Sequence, residues 1–287
     1  MEIKKLPEDF KVTEKTSIEI KNDGNYTYFI MDKTDYNTVK ALETIANALH
    51  IPFKEFGFAG NKDKKAITSQ TCSVKNVSKE RLEKIELKDI KITYLGKGNI
   101  PVSLGSLLGN AFEILVRDAP EPKPITKFIN YFGKQRFGGN NIEVGRAIVK
   151  KDFKKACELA GLDTFNAVQS ITKLNKKVQR IYVHAYQSYI WNETVKRMKK
   201  QEEIIPIVGF GVDPNEITKE IMKEEEITQR DFIIRQIPEL SAEGTQRNMF
   251  CEVKKLEIKK KGNDVLLKFF LPKSCYATVF IDQLFNK

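Results

Sequence analysis

The chain reads as an α+β protein, with a mixed or antiparallel sheet built from its two ends and a mostly helical stretch between them. Three observations predict this. β-forming residues alternate or cluster along 10–20, 25–31, 67–74 and 252–271. Apolar residues recur at helical spacing through 143–200, most strongly over 178–198. The links between the early strands are hairpin-like, which favours a sheet with helices on one side over a doubly wound parallel sheet.

In chain order, 10–20 and 25–31 read as two strands joined by a turn at Lys21-Asn22-Asp23-Gly24. Val39, Leu42, Ile45, Ala46 and Leu49 then mark a helix, capped by Asp35 or Asn37 and ended by Pro52. A short strand at 56–59 enters a loop, and 67–74 leaves it as a second strand, so the loop is held at both ends. Residues 78–88 read as a short charged helix. Strands follow at 90–95 and 112–117, on either side of glycine-rich 96–110, with Phe112 opening the second. After Pro120, Pro122 and Pro124, residues 125–132 fit a helix that ends near Gly133. Composition shifts after Gly138-Gly139-Asn140-Asn141, where the helical middle begins. Pro206, Gly209, Gly211 and Pro214 interrupt it, and a short helix resumes around 217–221. Strands return at 252–259 and 265–271 around a turn at Gly262-Asn263-Asp264. A helical middle between β-rich ends implies an insertion into one sheet domain.

Composition narrows the function. With 287 residues, 41% hydrophobic and 30% charged, the chain can bury a sizeable core and reads as soluble and globular. A net charge of +11 points to a polyanionic partner, although a surface rich in Lys and Glu is also a solubility and thermal-stability device. Cys72, Cys157, Cys251 and Cys275 form no CxxC pair and are joined by only His50 and His184, which argues against a metal site and for free thiols in a reducing compartment. There is no apolar leader and no run near the ~20 apolar residues that span a membrane, which places the protein in the cytoplasm. Gly57-x-x-Gly60-x-Lys62 lacks phosphate-loop spacing and no helix pattern follows it, which excludes an NTPase. Helix-turn-helix, zinc-finger and basic-zipper patterns are absent from the sequence, which argues against a DNA-binding protein.

The most informative stretch is Gly57-Phe58-Ala59-Gly60-Asn61-Lys62-Asp63-Lys64-Lys65-Ala66-Ile67-Thr68-Ser69-Gln70. One carboxylate, Asp63, sits among three lysines. The lysines can draw in a polyanion while the acid does chemistry on it. An adjacent cation favours the ionised form of an acid. On its own residues the loop is equally well explained as a solvated turn in a lysine-rich protein.

Gly60-x-Lys62-Asp63-Lys64-x-Ala66-x-Thr68-x-Gln70 resembles the active-site motif of the TruD family of tRNA pseudouridine synthases. Other segments resemble that family in the same order: Pro7-Glu8-Asp9-Phe10-Lys11-Val12-Thr13-Glu14, Gly109-Asn110-Ala111-Phe112, Asn130-Tyr131-Phe132-Gly133-Lys134-Gln135-Arg136-Phe137-Gly138, Ala185-Tyr186-Gln187-Ser188-Tyr189-Ile190-Trp191-Asn192, Gly244-Thr245-Gln246-Arg247 and Leu271-Pro272-Lys273-Ser274-Cys275-Tyr276-Ala277-Thr278. The resemblance implies a catalytic pseudouridine synthase domain made of 1–138 and 246–287, interrupted by a mostly helical α+β TruD-specific insertion at 139–245. It implies isomerisation of uridine 13 in the tRNA D-arm without metal or redox cofactor, by a monomer holding RNA along a basic cleft between the two parts. It makes Asp63 the catalytic carboxylate and nominates Lys4 as the cation paired with it. It also places Phe58, Lys62, Lys64, Asn110, Phe112, Arg136, Phe137 and Tyr276 at the substrate.

Several of these residues read two ways. Lys4 is otherwise an ordinary surface lysine. Phe112 and Tyr276 either stack on a flipped base or pack in a core. Asn110 either bonds a base edge or anchors the loop, and Arg136 is either a phosphate clamp or a salt bridge between domains. The insertion is short for the family, Ile281-Asp282-Gln283-Leu284 stands where the family has Arg-Glu before a hydrophobic residue, and Trp191 replaces a common Phe. The competing expectation is a non-catalytic tRNA-binding or tRNA-folding module on the same scaffold.

Overall fold

The strand pattern of the two chain ends builds a single eight-stranded sheet, and the helical pattern between them builds a separate unit. The computed structural model describes residues 1–285. In chain order the elements are β1 (Phe10–Thr16), β2 (Tyr26–Thr34), α1 (Thr38–Leu49), β3 (Phe56–Phe58), β4 (Ile67–Lys75), α2 (Lys79–Glu83), β5 (Ile90–Gly98), β6 (Leu107–Val116) and β7 (Lys127–Ile129). They continue with α3 (Asn141–Val149), α4 (Phe153–Ala160), α5 (Ala167–Thr172), α6 (Lys176–Arg197), β8 (Ile204–Ile207), α7 (Glu216–Glu224), β9 (Thr245–Asn248), β10 (Phe250–Glu252), β11 (Lys254–Lys261), β12 (Asp264–Pro272) and α8 (Ala277–Phe285). Two units result, one chiefly Met1–Phe128 with Glu252–Ala277, the other chiefly Ile129–Cys251.

The first unit holds the large sheet, in the order β11-β12-β6-β1-β4-β2-β5, with β3 also on β4. Only β1 and β4 run parallel; the other pairs are antiparallel. One edge of β4 is shared. β1 pairs with it over Ile67, Thr68 and Ser69, and β3 takes over at Cys72, Ser73 and Val74. The expected hairpin of 10–31 is therefore corrected: β4 lies between β1 and β2, because both edges of β1 are occupied by β4 and β6. Helix α1 starts where expected, with Asn37 Oδ1 accepting from the Val39 N–H at 3.0 Å and the Lys40 N–H at 3.3 Å. Its Ala41, Leu42, Ile45 and Leu49 pack on Phe29, Met31, Phe56, Cys72 and Val74. β11 and β12 form a true hairpin whose loop needs the left-handed φ of +63° at Gly262. β11 is an edge strand, and its Lys254, Lys255, Lys259, Lys260 and Lys261 are exposed.

Two further expectations are corrected. Residues 127–129 are a strand paired with β10 rather than part of a helix, a pairing with a remote segment that local periodicity cannot show. Lys134–Phe137, holding Gln135, Arg136 and Phe137, is a single 3-10 turn. Phe112 stands in the middle of β6, not at its start.

The second unit is organised by α6. Val183, Tyr186 and Ile190 face Val144, Ile148, Ile221 and Phe232 in one core. Trp191 is buried and its Nε1 donates to the Ile205 carbonyl at 3.3 Å. The polar stripe of the same helix is inward and fully used: Gln187 Nε2 donates to Val208 O at 2.6 Å, and Asn192 both accepts from the Phe132 N–H at 2.9 Å and donates to its carbonyl at 3.1 Å. α3 reaches α6 closely because Gly145 has no side chain; a Cβ there would fall inside contact distance of the Tyr182 carbonyl oxygen. Gly145→Ala should therefore destabilise the protein by about 1–3 kcal/mol, read as a lower thermal midpoint. Gly138→Ala, where the nearest atom would be 3.9 Å away, should shift stability by no more than about 0.5 kcal/mol.

Candidate active site

The loop between β3 and β4 is fixed by its backbone before any side chain is considered. Ala59 O accepts from the Gly105 N–H at 2.8 Å, and Gly60 O accepts from Gln70 Nε2 at 3.2 Å. The Lys62 N–H donates to Thr38 Oγ1 at 2.9 Å, and that hydroxyl reaches Gln70 Oε1 at 3.2 Å. Ala66 N–H closes a turn on Lys64 O at 2.8 Å. The Asp63 carbonyl accepts from Lys33 Nζ at 2.9 Å. Thr38 is the first residue of α1 and is fully buried, as are Gln70 and Lys33 on β4 and β2, so the loop rests on three different elements.

The Asp63 carboxylate meets Lys4, whose Nζ lies 2.5 Å from Oδ2. The side chain of Asp63 is still 36% exposed, against 18% for Lys4. This is a charge-assisted hydrogen bond that leaves the acid open on one side. Lys4 adopts a left-handed φ of 59°, which costs a residue with a Cβ about 1–2 kcal/mol. Its segment is tied down on either side. Glu2 and Arg117 exchange two backbone hydrogen bonds of 2.9 Å. Arg117 then grips Asp9 with two more, Nε to Oδ2 at 2.9 Å and Nη2 to Oδ1 at 2.7 Å. That guanidinium holds the Asp9 carboxyl below its usual pKa. Lys4 Nζ also lies 4.0 Å from the centre of the Phe10 ring.

Below these groups is one face of the sheet. Phe10, Val12 and Glu14 point inward from β1. Across β6 they oppose Ile114, Phe112 and Asn110, and Val12 opposes Thr68 on β4. The Phe112 ring is half-buried, stacked on Phe269 at 5.2 Å and edge-on to Phe10 at 6.1 Å. Lys62 turns inward to form an ion pair with Glu14, with 8% and 0% of their side chains exposed. Lys64 and Lys65 are exposed. Lys33 is buried and faces a carbonyl; desolvation pulls its pKa down to about 8, opposed by the charges of Asp63 and Asp35 and reinforced by that of Lys62.

The structure thus brings Lys4 and Asp63 into contact, and gathers Lys62, Asn110 and Phe112 around Glu14 and Val12. Phe58 is half-buried against the α1–β4 core, and Tyr276 stands half-buried between β12 and α8. Arg136 and Phe137 belong to the second unit, where Arg136 Nε donates to Ser188 Oγ at 3.3 Å. Sequence reasoning passed over Glu14 and Lys33. Each carried a signal: a charged residue in the inward phase of an alternating strand, with Phe10 and Val12 in one case and Phe29 and Met31 in the other. Among the described residues, no three His, Cys, Asp or Glu side chains are grouped to hold a metal ion.

The family model of tRNA pseudouridine synthase D (TruD) matches residues 1–167, 158–209 and 204–284. The tRNA pseudouridine synthase D of Aquifex aeolicus is 27% identical, over 99% of this chain and 97% of its own. A protein of Nanoarchaeum equitans named "Probable tRNA pseudouridine synthase D" is 29% identical, over 99% of this chain and 98% of its own. The crystal structure of a TruD protein from Methanosarcina mazei superposes with a TM-score of 0.74 at 24% identity, covering 99% of this chain and 93% of that one, and shares the fold. A match over nearly the whole length, on a scaffold that sets one carboxylate against a lysine, leaves one assignment: the chain belongs to the TruD family and is a tRNA pseudouridine synthase, an isomerase.

Proposed function

We propose that the chain converts uridine 13 in the tRNA D-arm to pseudouridine, with Asp63 as the essential carboxylate. The observation that carries this is the Lys4–Asp63 pair: an acid with a cation at 2.5 Å, a fixed backbone and an open side. Position 13 and the D-arm are what the motif resemblance implies. The reaction breaks the bond between C1′ and N1 of uridine. The detached base turns, and C5 bonds to C1′ in place of N1. The C5 proton is then lost and N1 gains one, so the product is an isomer of the substrate. Asp63 acts either on C1′ or in moving that proton, and Lys4 keeps the carboxylate aimed. Phe112, backed by Phe269, offers an aromatic face to the flipped base. Asn110 reaches the base edge. Lys64 on the exposed loop and Arg136 on its turn contact RNA phosphates, with Phe58, Phe137 and Tyr276 as the remaining substrate contacts. The protein works as a monomer in the cytoplasm.

The test is pseudouridine mapping on unmodified total tRNA with the wild type and Asp63→Asn. The wild type should mark one D-arm uridine, and the variant none while still binding tRNA. Binding by both without modification by either would replace this reading with a tRNA-binding module. Lys4→Met should keep tRNA affinity and lower kcat by roughly 10²-fold, as expected when one electrostatic partner of a reacting group is removed.

Lys33 sets a pH limit. It is charged below about 8 and loses its proton above it, which weakens its bond to the Asp63 carbonyl. Activity should decline as pH passes about 8, and the decline should be absent from the residual activity of Lys33→Met. Stability should move the other way. The folded pKa lies below the ordinary 10.5, so the unfolded chain binds more protons between those values. Relative to Lys33→Met, wild-type stability should therefore rise from about pH 8 to 10.5. Thermal midpoints measured beside the rate profile separate the two effects.

A further inference from the structure

Three buried oxygens on the face beneath Asp63 have no hydrogen-bond partner among the described residues: Glu14 Oε1, Asn110 Oδ1 and, on β4, Thr68 Oγ1. Glu14 and Asn110 are directly opposed across β1 and β6, a relation that sets Cβ atoms about 5 Å apart, whereas Thr68 stands opposite Val12. The Glu14 and Asn110 oxygens are both acceptors, so neither can serve the other. An unserved buried carboxylate oxygen is the costlier of the two. Glu14 cannot turn to water: its side chain is 0% exposed and its other oxygen is held by Lys62. Asn110 can turn. Half a rotation of its amide exchanges the oxygen with the nitrogen at almost no change of shape. The nitrogen then donates to the Glu14 carboxylate, a charge-assisted bond, and the carbonyl oxygen points to the open side. Asn110 is half-buried and two residues from Phe112 on the same face, so the open side lies at the edge of whatever stacks on that ring.

We propose that Glu14, pinned by Lys62, holds the Asn110 amide nitrogen-inward, so that Asn110 shows the base a carbonyl oxygen that accepts from an imide N–H and selects uracil over cytosine. This rests on the reading that the chain isomerises uridine. Uracil donates at N3, whereas cytosine has a bare acceptor there and would meet oxygen with lone pair. The same acceptor suits the turning base. Rotation that swaps N1 with C5 runs about the line through N3 and C6, so the N3–H stays on the axis. A hydrogen bond to it survives the turn, while contacts to the two carbonyls are exchanged. Glu14 acts through Asn110 and is a positioning residue.

The experiment uses full-length tRNA with uridine or cytidine at the target position. Affinities are measured with Asp63→Asn, which stops turnover, and with Asp63→Asn carrying Glu14→Gln in addition. Gln keeps the volume of Glu14 but offers the amide a donor as well as an acceptor, so Asn110 is free to face either way. The single variant should bind the uridine tRNA at least 10-fold more tightly than the cytidine tRNA. The double variant should discriminate less than 3-fold. A purely structural role for Glu14 would weaken both tRNAs alike and keep the ratio, and that result would overturn the proposal. So would an absence of preference in the single variant. The reading it rests on fails separately: the protein with Asp63 intact would then form no pseudouridine in the uridine tRNA, whatever the affinity ratio.

Discussion

The parallel pairing of β1 with β4 is the constraint on which the site depends. It brings the amino-terminal segment, with Lys4, Phe10 and Glu14, beside a loop some 60 residues later in the chain. Because β1 covers only the first three residues of β4 and β3 covers the next group, the loop from β3 to β4 must return across the end of β1. Lys62 and Asp63 are thereby delivered above Glu14 and Phe10. A hairpin of β1 with β2 would have separated these groups by a strand. The antiparallel pairing of β6 then supplies Asn110 and Phe112 to the same face, in register with Glu14 and Val12.

On that platform the charges are arranged in depth. Lys62 holds one oxygen of Glu14 inside, Lys33 is spent on the Asp63 carbonyl, and Lys4 meets the Asp63 carboxylate. Each lysine has a different partner, so the loop can be rigid while one carboxylate stays open. Burying an ammonium against a carbonyl is costly, and the lowered pKa of Lys33 records that cost. Rigid placement of a reacting group is what a site needs if it is to act on a base that must move.

Much of the fold was legible because it is locally encoded. The cap at Asn37, the alternation of β1 and the turn at Gly262 are each contained within a few residues. What was not legible depends on partners far along the chain. β1 and β2 look like a hairpin until both edges of β1 are seen to be filled, and β7 looks helical until β10 is beside it. The Lys4–Asp63 contact joins positions 59 apart, so no spacing argument could show it, and only the motif resemblance nominated Lys4. Glu14 shares the inward phase of β1 with Phe10 and Val12, which alone does not mark an acid as paired. Lys33 lies beyond Met31, where the apolar run that marks β2 in the sequence stops.

The sheet is open rather than closed, and β11 forms one of its edges, where unpaired backbone groups invite a strand from another molecule. Lys254, Lys255, Lys259 and Lys261 leave that edge positive although Glu257 lies among them and Lys260 is paired with Glu121, so two copies approaching edge to edge repel before their backbones can join. The basicity of the chain thus has a second use. Part of it guards against fibrous self-association, and that protection weakens as salt shortens the reach of the charges.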